Sequence, residues 1–167
     1  MPDQETIERA ERDKSEGKSP STQAGEFVRE EMDHIREGKH GARSPQQAIA
    51  IGLSKARRAG VDLPPPKKGR VKESTRKSAE REYEKGQAQA RKKTPKRISR
   101  IREEVLKREP RSSASHQALS KQAKRAAQAR GKASRQAAAR KAVRTKGAAG
   151  LKAEARKAAR TRQRRAA

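Results

Sequence analysis

The chain has 167 residues, a formal net charge of +26 and an aromatic content of 1%. Ile, Leu, Val and Phe together number 17, about a tenth of the chain, and less than a fifth combined with high net charge marks sequences that cannot bury a large core. This balance argues against a conventional globular enzyme, and the mutual repulsion of so many cations calls for a polyanionic partner, with nucleic acid the first candidate.

Other classes fall away on composition. Cysteine is absent, which excludes disulfides, thiolate metal sites and thiol catalysis. The longest apolar stretch, from Ala48 to Leu53, is far short of the roughly 20 residues that span a bilayer, so no membrane partner is expected. The first residues are acidic where a signal peptide would be basic and then apolar. A cytoplasmic location follows as the expectation.

Charge divides the chain. Residues 1–43 carry a net −3, residues 44–68 +4, residues 69–110 +8 and residues 111–167 +17. A slightly acidic front is thus joined through mixed sequence to a basic arm.

Residues 1–18 predict a marginal helix, supported by Glu5/Arg9 and Glu8/Arg12 but with Ile7 as the only large apolar side chain. Residues 19–63 predict a helix–loop–helix core. Ser21 or Thr22 would cap its first helix, in which Ala24, Phe27, Val28, Met32 and Ile35 recur at helical spacing until Gly38. Ser44-Pro45 caps and starts the second, with Ala48, Ile49, Leu53 and Ala56 on one face and Gly60 placed for a left-handed C′ residue. Pro64-Pro65-Pro66 then forbids continuation.

The run Lys39-His40-Gly41 and Ser44-Pro45-Gln46-Gln47-Ala48-Ile49-Ala50-Ile51-Gly52-Leu53-Ser54-Lys55-Ala56-Arg57-Arg58-Ala59-Gly60 resembles a bacterial domain-of-unknown-function family of small basic proteins. The similarity spans about Ser19 to Gly69. The resemblance implies a bacterial source and a nucleoid-related role, and transfers no catalytic residue.

The helix–loop–helix could also read DNA. Ser54, Lys55, Arg57 and Arg58 would then face phosphates, and Gln46 and Gln47 base edges. Two helices packed for stability, with a solvated basic face, is the favoured reading, because the connection is long and no third supporting helix is evident.

Residues 64–93 read as a Pro-initiated linker and a charged helix containing Ala79 and the lone Tyr83, with Glu73/Lys77 paired. One tyrosine makes no stacking platform, and it is expected to cover local apolar surface. Residues 94–110 predict an amphipathic helix started by Thr94-Pro95, its stripe of Ile98, Ile101, Val105 and Leu106 packing on the front unit or, in self-association, on another copy.

Residues 111–167 form the arm, with 19 Ala, 18 Lys+Arg and Glu154 as the only acid. Three segments repeat at a spacing of 16: Lys124-Arg125-Ala126-Ala127, Arg140-Lys141-Ala142-Val143 and Arg156-Lys157-Ala158-Ala159. Low-complexity drift accounts for this equally well. Alanine favours helix once phosphates neutralise the repulsion between cations, so binding and folding would be coupled. In composition the arm resembles the Ala/Lys-rich tails of linker-histone-like bacterial proteins.

The candidate phosphate-binding residues are Lys121, Lys124, Arg125, Arg130, Lys132 and Arg135, then Arg140, Lys141, Arg144 and Lys146, and finally Arg156, Lys157, Arg160, Arg162, Arg164 and Arg165. Lys92, Lys93, Lys96, Arg97 and Arg100 join Lys55, Arg57 and Arg58 as additional candidates.

No catalytic, cofactor or metal site is assigned. Gly17-Lys18-Ser19 lacks the preceding glycine and strand of a phosphate-binding loop. Glu30, His34 and Glu37 share a helix face, which solvated ion pairing explains, and His40 and His116 fall in polar sequence without an evident partner. Ser112, Ser113 and Ser115 read as a solvated linker open to phosphorylation.

The expectation is therefore a mainly α chain, with a small helix–loop–helix unit, further isolated helices and a largely disordered or conditionally helical basic tail. Its expected role is non-enzymatic: sequence-nonspecific binding of double-stranded DNA at the nucleoid. RNA or ribosome association is the runner-up, and a stress-induced hydrophilic disordered protein the alternative of another class.

Overall fold

The computed structural model describes residues 2–88 and 96–166, and side chains within 2–88 and 97–164. Among them are seven α-helices, a single 3-10 turn and no strand. The helices are α1 (Gln4–Ser15), α2 (Pro20–Arg36), α3 (Pro45–Arg58), α4 (Glu73–Gln87), α5 (Lys96–Lys107), α6 (His116–Ala129) and α7 (Gly131–Ala166), with the 3-10 turn at Arg111–Ala114. The protein is mainly α. It divides into two compact units, Met1–Gln122 and Ala123–Ala167.

The first unit is centred on α2 and α3, which pack on each other. Helix α2 begins earlier than the capping pattern of Ser21 or Thr22 suggests, because Pro20 occupies its first turn and Ser19 the N-cap position; proline's fixed φ suits that turn and its missing N–H is not needed there. In α3, Oγ of Ser44 accepts the N–H of Gln47 at 3.3 Å and Pro45 follows in the first turn. The helix closes at Gly60, φ 91°, with the Val61 N–H donated to the Ala56 carbonyl at 3.1 Å and that of Gly60 to Arg57 at 3.0 Å. These paired bonds satisfy carbonyls the helix end would otherwise leave orphaned.

The core consists of two small clusters. In one, Ala10, Ala24, Phe27, Ala56 and Val61 are buried with Ile7, Leu53 and Leu63 against them. In the other, Met32, Ile35, Ala42, Ala48 and Ala114 are buried beside Val28, Ile49 and Leu119. Alanine dominates both, so the helices approach closely. A Cβ on Gly52 would sit 2.7 Å from Cα of Val28, which fixes how near α3 lies to α2.

The surroundings of these two helices differ from the sequence expectation. Helix α1 packs on α2 and buries Thr6, Ala10 and Asp13, with Nε of Arg9 donating to Glu26 at 2.8 Å. Helix α4 packs on α3, burying Ala79 and Gly86. Here Glu73 pairs with Arg76 at 2.8 Å, one residue before the expected Lys77, and the hydroxyl of Tyr83 donates to Asp62 at 2.6 Å instead of covering apolar surface. Supporting helices are therefore present on both sides of the pair.

The segment after Pro110 is no solvated linker. Ser113 and Ala114 are buried against α2, where Nε of Arg36 donates to the Ala114 carbonyl at 3.2 Å, and Leu119 at the start of α6 joins the second cluster. The basic arm accordingly starts about a dozen residues later than position 111. Of the stripe on α5, Ile98, Ile101 and Val105 are exposed, whereas Leu106 is half-buried and its carbonyl accepts the Gly41 N–H at 2.8 Å, so only the end of the helix meets the front unit. Thr94-Pro95 lies outside the described residues.

Candidate nucleic-acid interface

The second unit, Ala123–Ala167, contains no buried residue among those described. All its described Lys and Arg side chains are exposed, including Lys124, Arg125, Arg130, Lys132 and Arg135. The same holds for Arg140, Lys141, Arg144 and Lys146, and for Arg156, Lys157, Arg160, Arg162 and Arg164. Arg165 lies beyond the described side chains, and Lys121, also exposed, belongs to the first unit. Glu154, the only acidic side chain after residue 110, pairs with Lys146 at 2.6 Å and its pKa is lowered by that contact. No second carboxylate is available within the arm, so its remaining cations have no internal counter-charge.

Two glycines divide the helical arm. Gly131 has φ 72°, and Gly147 has φ 65° and ψ 173°, a break inside α7. Each lies seven residues after the start of a repeat segment, Lys124 or Arg140, and the third repeat carries Gln163 at the equivalent position. The spacing of 16 thus coincides with structural joints at two of its three copies. Between the joints, Lys132, Arg135, Arg140, Lys141 and Arg144 spread around the whole axis at 100° per residue, without an apolar stripe.

The additional candidates fare differently. Lys55 is directed inward: Nζ donates to Oε1 of Glu30 at 2.9 Å and lies 2.8 Å from Oε2 of Glu31. Burial opposes its charge, but the contacts with Glu31 and Glu30 outweigh that and raise its pKa. Arg57 is buried, and Nε donates to the Leu63 carbonyl at 3.1 Å; burial lowers its pKa. Arg58 is half-exposed and paired with Glu82 at 3.0 Å. Neither Lys55 nor Arg57 can face a phosphate, because each is committed to the packing of α3.

The glutamines at the start of α3 are also engaged. Oε1 of Gln47 accepts the Arg43 N–H at 2.8 Å, and Gln46 bonds Gln122. A base-reading role for α3 is therefore not supported. Arg97 and Arg100 are exposed on α5, whereas Lys92 and Lys93 lie outside the described residues and Lys96 is described by its backbone alone.

A cluster that the sequence reading treated as solvated is buried. Side chains of Glu30 and Glu31 are 3% and 1% exposed. His34 approaches Asp3 at 3.1 Å and Glu30 at 3.9 Å, and His40 approaches Glu31 at 3.2 Å. Glu37, in contrast, is exposed and pairs with Lys39 at 3.0 Å. The i, i+4, i+7 spacing missed His40, which the turn at Gly38, φ 81°, returns toward α2.

The fold thus defines a small helical unit together with a basic helical arm. Residues 4–68 match the model of a family of unknown function, DUF6496. The match covers α1 to α3, so its similarity reaches the helix that packs beneath α2 and stops before the arm. No curated protein and no solved structure matches the chain. No helix of the described residues is long and apolar enough to cross a membrane.

Proposed function

We propose that the protein is a sequence-nonspecific binder of double-stranded DNA, acting at the bacterial nucleoid without catalysis. The observation that carries this reading is the exposed arm, in which Glu154 is the only acid among 16 Lys and Arg from Ala123 onward. Cations on all sides of short helical segments suit phosphates, whose contacts carry little sequence information. An α-helix fits the major groove, and the joints at Gly131 and Gly147 let successive segments follow a curved duplex.

The arm contains no aromatic residue, since Phe27 and Tyr83 are the only ones in the chain. Stacking on unpaired bases is therefore unavailable to it, which favours a duplex over a single strand. The first unit would serve as a folded anchor, with Lys55 and Arg57 held in its packing.

Neutralising about ten phosphates would give a logarithmic salt slope near −9 on duplex DNA. Matched DNA and RNA duplexes titrated with the full chain test the reading. Tighter binding to DNA supports it, tighter binding to RNA moves the function to RNA or ribosome association, and no binding to either leaves the hydrophilic stress-protein role.

A further inference from the structure

The buried cluster on α2 is short of positive charge. Glu30 and Glu31 are both enclosed, and a single ammonium, Lys55, meets the pair. Oε2 of Glu31 lies 2.8 Å from Nζ of Lys55 and Oε1 lies 3.2 Å from Nε2 of His40, but neither oxygen has a partner at full hydrogen-bond geometry. An enclosed carboxylate met only by misaligned donors is costly. Its surroundings therefore point to a group that the protein atoms alone do not supply.

The neighbours of Glu31 are metal-ligating side chains. One ligand atom from each of Glu31, His34 and His40 lies within 4.8 Å of the others. Glu31 and His34, at i and i+3, are adjacent on one face of α2. His40 arrives from the turn, its ring edge-on to that of His34 with centroids 6.2 Å apart. Ligand bonds of about 2.0–2.2 Å around a tetrahedral zinc ion put ligand atoms roughly 3.3–3.5 Å apart, so a small closing of the side chains suffices.

We propose that Glu31, His34 and His40 bind a divalent transition-metal ion of the zinc class. Two imidazoles and one carboxylate suit zinc better than calcium or magnesium, which prefer all-oxygen sites. The ion supplies the charge that Glu30 and Glu31 lack. Lys55 stays on Oε2 of Glu31, and the carboxylate of Asp3, 3.1 Å from Nε2 of His34, orients that ring as outer carboxylates do around metal-bound histidines. Three protein ligands leave a fourth position for water. The site fastens residues 38–43 to α2, and it stands whether or not the arm binds nucleic acid.

The test uses the full chain, stripped with chelator and titrated with Zn²⁺ by calorimetry and with Co²⁺ by visible absorption. One equivalent is expected to bind, with a cobalt ligand-field band. Glu31→Gln and His40→Ala abolish the stoichiometric signal, Asp3→Asn weakens binding about 10–100-fold, and His116→Ala leaves it unchanged because that exposed histidine lies outside the cluster. Circular dichroism reports whether each variant folds, and the wild-type titration decides the matter even where one does not. Absence of binding by the wild type, or undiminished wild-type binding in both His34→Ala and His40→Ala, overturns the proposal.

Discussion

Nζ of Lys55 on α3 lies 2.9 Å from Oε1 of Glu30 on α2, with the two side chains only 14% and 3% exposed. A cation in the middle of a basic sequence run is thereby a structural tie between the central helices. Removing one member of a buried pair leaves the other charge uncompensated, at a cost of about 3–5 kcal/mol. Lys55→Met should accordingly lower thermal stability strongly while leaving the salt slope of duplex binding unchanged. A stable variant with weakened binding would return Lys55 to the phosphate-binding set.

Close approach of the same two helices depends on Gly52. Its missing Cβ leaves room for the backbone of Val28, 2.7 Å from where that atom would lie. Gly52→Ala gains helix propensity but must push the helices apart, and overpacking of this kind costs about 1–3 kcal/mol. Thermal or urea unfolding should show net destabilisation. A more stable variant would contradict the packing described.

Tyr83 offers an optical check, being the only tyrosine in a chain without tryptophan. Its hydrogen bond to Asp62, followed by desolvation and the carboxylate's charge, raises its pKa above the ordinary 10.0. A raised folded-state value means that the bond's contribution to stability is whole below the unfolded pKa and is lost as pH rises through the folded one. Absorbance titration should therefore give a midpoint above that of free tyrosine, returning toward it in Asp62→Asn. Coincident midpoints would show that the tie between α4 and the end of α3 is not made.

Much of the central pair was legible from local signals, since Ser44-Pro45 starts α3 and Gly60 ends it by rules that act within a few residues. What surrounds that pair was not. Ile7 is the lone large apolar residue of α1, but the helix docks also through Ala10 and Thr6, and small side chains leave little trace in an aliphatic pattern. Ala114 was hidden for the same reason, inside a stretch whose serines and neighbouring arginine suggested solvent. The inward turn of Lys55 depends on Glu30 and Glu31, 25 and 24 positions away, and His40 reaches Glu31 only through a turn. Pairings across helices have no periodicity to announce them.

Gly147 is a separable feature of the arm. Alanine is more favourable than glycine by about 1 kcal/mol in a helix, so Gly147→Ala should allow α7 to run unbroken and raise the helical circular dichroism signal. Unfolding of the first unit should not change. No gain in helicity would mean that the break is not set by the glycine.

The central claim concerns where the charge acts. Salt-dependent binding to one DNA duplex should be measured for the full chain and for a chain ending at Gln122, the boundary between the units. Separating the arm there keeps Ala114 and Leu119 in the core. The full chain is predicted to show a steep slope, near −9 if about ten phosphates are engaged, and the shortened chain to lose most of its affinity and most of that slope. Equal affinity with an unchanged slope in the shortened chain would contradict the account.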